Sequence, residues 1–308
     1  RPGRRATARR APVSRLPTSV QSMAKGRELK ARIRSTENTR KITRTMEMVS
    51  TSKMKRAQDR VHAARPYANA LTGVISSLYT PELAERFPLL RQPAKVRRAA
   101  VILINSNRGL AGAFNSNLIK EARSQLQRLR AEGVETELHV SGRKGIGYFR
   151  YVGEAMAVAR TDISDRPSSD DAASLVDALM QRFIDGSLDA VYVVYAQFKS
   201  ALSTPPTSEQ ILPVTPPKRT GAAPDYLLFP SAEEILTELL PSYVRNAMYR
   251  TLVETAAAEH SARRTAMKNA TDNAGEILST LRRTYNRARQ AQITQEIAEI
   301  VGGAAALE

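Results

Sequence analysis

The residues best placed to do chemistry in this chain are Asn107-Arg108-Gly109-Leu110-Ala111-Gly112-Ala113-Phe114-Asn115. They follow an apolar run and precede a helical pattern, the strand–turn–helix setting in which phosphate loops occur. Two absences count against a phosphate loop. No Gly-Lys-Ser/Thr follows the glycines, and the GxGxxG of a dinucleotide site is missing. The glycines then read as a tight turn with close helix–strand packing. Gly142-Arg143-Lys144-Gly145 offers a second anion cradle, and reads better as a basic turn at a strand end. His62, His139 and His260 lie far apart in no ligand-like spacing, and the carboxylates form no pair suited to acid–base work. With no Cys, the chain has no thiolate nucleophile, thiolate metal site or disulfide. The expectation is no catalytic residue, no cofactor and no metal.

Charge points to a partner instead. The net charge is +17, and residues 1–22 hold six Arg and no acid. Residues 23–65 hold thirteen Lys or Arg against four acids, so nearly all the excess lies in the first fifth of the chain. Such a concentration faces something acidic: nucleic acid, anionic lipid or an acidic protein surface. Aromatic residues are missing from Met23–Ala64, so bases would find nothing to stack on. Met46, Met48 and Met54 within the basic stretch suggest a protein-facing helix. No apolar run reaches the roughly 20 residues of a membrane span, so membrane association must go through partners.

The elements that position these residues fall into a simple order. Arg27–Arg65 has neither proline nor glycine, and Ser242–Val301 has no proline and one glycine, Gly275. As helices these are rods of roughly 60 Å and 90 Å, too long to stand without a partner. Each is the other's economical partner. The first rod carries a stripe through Leu29, Ile33, Ile42, Met46, Val49, Ala57, Val61, Leu71, Val74 and Leu78, with Pro66 as a kink or joint. The second steps by three or four through Leu240, Val244, Ala247, Thr251, Thr255, Ala258, Ala262, Ala266, Ala270, Ala274, Ile277, Leu281 and Tyr285. Its alanines allow close approach of two helix axes. Ser231–Leu240 reads as a short helix that Pro241 separates from this rod.

Between the rods, strands are expected at Arg97–Ile104, Glu135–Ser141 and Ala190–Gln197, with helices over Asn117–Glu132 and Ser168–Gly186. Gly147–Arg150 reads as irregular, and the proline-rich passage 205–224 as loop. The fold class is therefore α/β: a central Rossmann-like, mostly parallel sheet domain, with two long terminal helices forming an antiparallel coiled coil. The expected divisions are a disordered tail or presequence at 1–22, an N-terminal coiled-coil helix at 23–90, the α/β domain at 91–230 and the C-terminal coiled-coil helix at 231–308. Met23 as a natural start is a third reading of the tail.

Several blocks resemble one family. Thr39-Arg40-Lys41-Ile42-Thr43-Arg44-Thr45-Met46-Glu47-Met48-Val49, followed by Ser52-Lys53-Met54, resembles the N-terminal helix of the γ subunit of F-type ATP synthase. Asn107–Gly112 is similar to its Asp-Arg-Gly-Leu-Cys-Gly turn, with Asn107 for Asp and Ala111 for Cys. Ala266–Ala274 and the run from Tyr285 through Ile297 to Leu307 resemble two further blocks. The resemblance covers about Met23 to Leu307.

The resemblance implies a central rotor shaft within a ring of three α and three β subunits, standing on a c-subunit ring beside an ε (or δ-equivalent) subunit. Rotation of the ring driven by protons would cycle the catalytic β sites, with no catalytic residue in the shaft itself. It implies β contacts at Lys41, Arg44, Met46, Arg289, Gln290 and Thr294. It implies c-ring or ε contacts at Tyr226, Leu227 and Phe229, with Phe229 standing where bacterial relatives often carry Glu. The implied place is the cytoplasmic face of a bacterial inner membrane or the matrix face of the mitochondrial one. A basic coiled-coil nucleic-acid binder is the alternative reading.

Overall fold

β-Branched residues concentrate in the two segments at the centre of the sheet, Arg98–Ile104 and Ala190–Ala196. In the computed structural model, which describes residues 18–79, 86–215 and 231–305, strands β1 Arg98–Ile104, β2 Glu135–Ser141, β3 Val158–Arg160, β4 Ala190–Ala196 and β5 Pro206–Leu212 form one sheet in the order β3-β2-β1-β4-β5. The first four are parallel and β5 runs antiparallel to β4, with Ile102 opposite His139 on one side and Val193 on the other. Helices α1 Thr18–Leu78, α2 Phe114–Ala131, α3 Arg143–Val152, α4 Ser169–Ile184 and α5 Ala232–Ala305 complete the described elements, with a 3₁₀ turn at Pro88–Leu90.

The two faces of the sheet carry separate cores, which is why β1 and β4 are apolar on both sides. Ala100, Ile102, Ile104, Val193 and Tyr195 point into one, against α4 (Val176, Leu179, Phe183), α1 (Leu71, Ile75) and α5 (Leu236, Leu240, Val244). Ala99, Val101, Leu103 and Val194 point into the other, against α2 (Leu118, Leu126), α3 (Phe149), α1 (Ala57, Val61) and α5 (Val253, Ala257). Both long helices thus contribute to both cores. Every residue from Thr251 to Ala258 is buried, so this part of α5 is enclosed on all sides.

The chain divides into two compact units, Thr45–Lys268 and the residues up to Arg44 with those from Asn269 onward. The division falls inside both long helices rather than near residues 90 and 231, because their inner lengths are part of the sheet's cores. In the helical unit the two helices run antiparallel. Thr43 Oγ1 and Thr271 Oγ1 are 2.8 Å apart, Gly275 lies beside Arg40, and Arg282 reaches Glu37 at 3.3 Å.

Several expectations are corrected. α5 is continuous through Pro241, because Leu236, Leu240, Val244, Met248 and Leu252 bury one unbroken stripe on both sides of it. That burial outweighs the ~3 kcal/mol an interior proline costs. α1 likewise runs through Pro66, and it begins at Thr18, inside the segment read as a tail; residues 1–17 lie outside those described. The buried stripe of α1 passes through Thr43, Ser50, Met54, Ala57 and Val61, leaving Ile42, Met48 and Val49 exposed. On α5, Met267, Thr271, Ala274 and Leu278 are buried while Ile277 is exposed. Small polar residues at Thr43, Ser50 and Thr271 take positions where large apolar ones would hold the helices apart. Residues 143–152 are helical rather than irregular, and β3 and β5 are strands where none was expected.

Candidate functional site

Open α/β sheets take ligands at the carboxyl ends of their strands, where the strand order reverses. Here the reversal lies between β1 and β4. The loops after these two strands bracket the crevice, and α5 is bonded to both. Thr255 Oγ1 accepts from Ala196 N–H at 3.4 Å, and Glu254 Oε2 accepts from Phe198 N–H at 3.1 Å. Ser261 donates to Ala201 O, and the Arg263 guanidinium donates to Gly109 O at 3.3 Å. Burial pushes the Glu254 carboxyl up, against the opposing pull of Phe198 N–H and Arg250. Beside it, Arg250 pairs with Glu209 of β5, whose other oxygen accepts from Tyr195 at 2.7 Å.

A second set of charges joins α1, α5 and the loop after β3. Lys53 Nζ lies 2.6 Å from Asp165 Oδ2, and His260 Nε2 lies 3.4 Å from the same oxygen. Arg263 pairs with Glu259 at 2.6 Å. Burial alone would raise Asp165, but the Lys53 hydrogen bond and nearby cations hold it below its ordinary value. Burial lowers His260 to about 4, and raises Glu259 against the effect of Arg263.

The turn after β1 directs its polar groups to its own chain. Asn107 Nδ2 donates to Thr161 O at 3.0 Å and Ile163 O at 3.1 Å, while its Oδ1 accepts the first N–H of α3, from Arg143, at 2.9 Å. Lys144 N–H bonds to Ser106 O at 3.1 Å. A phosphate loop offers free amides at a helix start; the first two of α3 are engaged here, and in α2, which follows this turn, Phe114 N–H bonds to Ala111 O at 3.2 Å. Leu110 at the tip has a φ of 61°, and Gly112 a φ of 57°. The turn ties three crossover connections together at one end of the sheet. Among the described residues, no group of three His, Asp or Glu could hold a metal. None of their helices is long and apolar enough to cross a membrane.

The residues singled out from the sequence are distributed, not assembled. Lys41 and Arg44 lie exposed on α1 in the helical unit. Arg289, Gln290 and Thr294 are exposed on α5 in the same unit, Thr294 Oγ1 donating to Gln290 O at 3.0 Å. Arg289 is eighteen residues past Thr271, roughly 27 Å further along the helix, so the two groups stand at different levels. Around the second group, Ile293, Ile297, Ile300 and Val301 are exposed. Met46 is half-buried in the α/β unit, where it lines a cleft with Lys53 and Asn105. Tyr226, Leu227 and Phe229 lie outside the described residues. Sequence reasoning missed Lys53, Asp165, His260 and Arg263, whose partners are distant in the chain. The available signal was Glu259-His260 following an alanine run in an otherwise apolar stretch.

These features define a structural class: an α/β unit built around the inner lengths of two long helices, and a helical unit in which their outer lengths pair antiparallel. The sequence profile of the ATP synthase family matches residues 25–307. The ATP synthase gamma chain of Gemmatimonas aurantiaca is 67% identical over 289 residues, covering 93% of this chain and 100% of that one. The gamma chain of Leptospira biflexa is 43% identical, over 92% of this chain and 100% of its own length. A chain of the Euglena gracilis mitochondrial ATP synthase, in an OSCP/F1/c-ring structure, shares the fold with a TM-score of 0.66 at 19% identity, over 92% of this chain and 95% of that chain. A chain from the central stalk/c-ring structure of the Tetrahymena thermophila enzyme gives a TM-score of 0.57 at 23% identity, over 74% and 99%. The chain belongs to the γ-subunit family of F-type ATP synthase. It is a non-catalytic component of that enzyme, and the nucleic-acid reading has no support among these relatives.

Proposed function

We propose that the paired helices of this chain are the turning shaft of the synthase, carrying rotation of a c-subunit ring to the catalytic β subunits. The observation that carries this reading is the crevice of the sheet. Where an open α/β sheet would take a ligand, four hydrogen-bonding side chains of α5 tie the helix to the loops after β1 and β4. Such a joint passes torque from the α/β unit into the helix. The partners are three α and three β subunits, an ε subunit and the c ring, and membrane association runs through them. Lys41, Arg44 and Met46 face an acidic segment of β, and Arg289, Gln290 and Thr294 grip a β loop, surrounded by the exposed isoleucines of the last turns. Tyr226, Leu227 and Phe229 make the contact with the c ring or ε. The bacterial relatives favour the cytoplasmic face of a bacterial inner membrane.

The test is ATP hydrolysis by reconstituted complex carrying Gln290→Ala with Thr294→Ala. A hydrogen bond to a charged group contributes about 1.5–3 kcal/mol. If the grip forms mainly in the rotary transition state, turnover drops by about one to two decades. Unchanged turnover and coupling, with the subunit fully incorporated, would refute the assignment.

A further inference from the structure

We propose that the cavity bounded by α1, α5 and the segment after β4 is a binding site for a neutral small molecule with an apolar body and one hydroxyl or carboxamide head, the head held between Glu254 and Arg250. The cavity measures about 470 Å³, within the range of small-molecule sites and far above the water-sized voids of a packed core. All of it lies in the α/β unit. The sequence of α1 explains the space. Ala57 and Val61 anchor this helix in one core, and Leu71 and Ile75 anchor it in the other. Between those anchors, the positions at helical spacing that line the cavity are Ala64 and Ala68, whose methyl groups leave it unfilled.

Three observations specify the ligand. The Glu254 side chain is only 10% exposed, and its Oε2 accepts from Phe198 N–H at 3.1 Å. Its Oε1 makes no hydrogen bond: the ion-pair partner, Arg250 Nη1, is 3.8 Å away, too far for one. Oε1 is not sealed off, and the cavity is where this side chain reaches open space. A group seated between the two donates to the carboxylate and accepts from the guanidinium, which a hydroxyl or a carboxamide does and a hydrocarbon does not. Charge sets the second requirement. Arg250 is bonded to Glu209 as well, and Arg65 of α1 acts on the Glu254 carboxylate. Two acids and two guanidiniums cancel, and Asn69, Gln197 and Asn246 are neutral, which leaves only exposed Lys199 at the rim. A formal charge on the ligand therefore gains little. Third, Val61, Ala64 and Ala68 of α1, Val253 of α5 and Phe198 after β4 put apolar wall on all three elements, so the body of the ligand is apolar.

The experiment is an NMR titration of the full chain, isotope-labelled at its alanine and valine methyls, with p-cresol and in parallel with toluene, which has the same body and no head. Saturable shifts are expected at Val61, Ala64, Ala68 and Val253, with toluene binding about tenfold or more weakly, the loss of one hydrogen bond to a charged group. Glu254→Gln keeps an acceptor for Phe198 N–H and turns the second oxygen into a donor, so it should weaken p-cresol by a similar factor. Ala64→Leu puts a larger side chain into the cavity and should abolish binding of both compounds. If Glu254→Gln does not fold, the toluene comparison and Ala64→Leu decide. No saturable shift, equal affinity for p-cresol and toluene, or binding that Ala64→Leu leaves unchanged overturns the proposal.

Discussion

Replacing His260 by Gln should flatten the loss of stability expected of the protein between pH 7 and pH 5. The ring is buried at 4% exposure, with Nε2 facing Asp165 and Nδ1 lying 3.4 Å from the Arg263 guanidinium. Those partners fix a neutral tautomer: Nε2–H donates to the carboxylate and Nδ1 accepts from Arg263. A proton on Nδ1 would point at a cation in a site that water barely reaches. Burial is the main reason the folded pKa sits at about 4, below the ordinary 6.5. Between those values the unfolded chain binds a proton that the folded chain does not, so stability falls as pH falls. At pH 5 the linkage amounts to about 2 kcal/mol relative to pH 7. The charged groups around it are Lys53 on α1, Asp165 and Arg108 on the loops, and Glu259 and Arg263 on α5. Glu259, raised by burial, gains a proton in the folded state first and so acts in the opposite sense. Asp165, held low, matters only at more acid pH. The difference between wild type and His260→Gln removes these shared contributions. Urea denaturation of both proteins at the two pH values measures it, and the Cε1–H resonance of His260 reports the ring directly. Parallel losses in the two proteins, or a ring titrating near its ordinary value, would refute the reasoning.

Gly142→Ala should prevent normal folding. A Cβ there would sit 2.2 Å from Asn105 O at a φ of 113°, for a combined cost of ~4 kcal/mol or more, read as loss of soluble protein or a collapsed denaturation midpoint. Asn107→Ala should cost about 3 kcal/mol in the same assay, since three hydrogen bonds at the crossover junction are lost together. Cysteines at Thr43 and Thr271 should form a disulfide on mild oxidation, because the two hydroxyl oxygens are 2.8 Å apart; failure to crosslink, with both helices intact by circular dichroism, would break the antiparallel register.

The sheet was legible where its strands are buried on both faces. β1 and β4 stand within a residue of where the apolar runs place them, because a doubly covered strand has little choice of residue, and β2, whose first three residues are not buried, ends where Gly142 stops it. β5 was hidden because it is an edge strand of Pro-Thr-Ser-Glu-Gln composition, held by the neighbour it pairs with rather than by its own propensity. α3 was hidden by glycine. Gly145 reads as a helix breaker, yet a Cβ there would lie 2.9 Å from Val140 Cγ1, so glycine is what lets the helix seat on β2. The charged cleft was illegible for a different reason. Lys53, Asp165 and His260 meet only through the fold, and the one local trace, Glu259-His260 after an alanine run, does not say what it pairs with. The rods were legible as helices, but their contact face was displaced toward Thr43, Ser50 and Thr271, because close approach rewards small side chains over large ones.

The enclosed stretch Thr251–Ala258 also has a consequence for biosynthesis. Translation is vectorial, at about 5–20 residues per second, and this stretch leaves the ribosome about forty residues after the last strand. Until then both cores of the nascent sheet lack a wall, and Ala196, Phe198 and Gly109 wait for their helical partners. The α/β unit therefore closes only once this late segment of α5 is made, after all of its strands. A chain terminated before residue 251 would leave part of those apolar faces uncovered, the kind of surface that makes partly folded chains prone to aggregation.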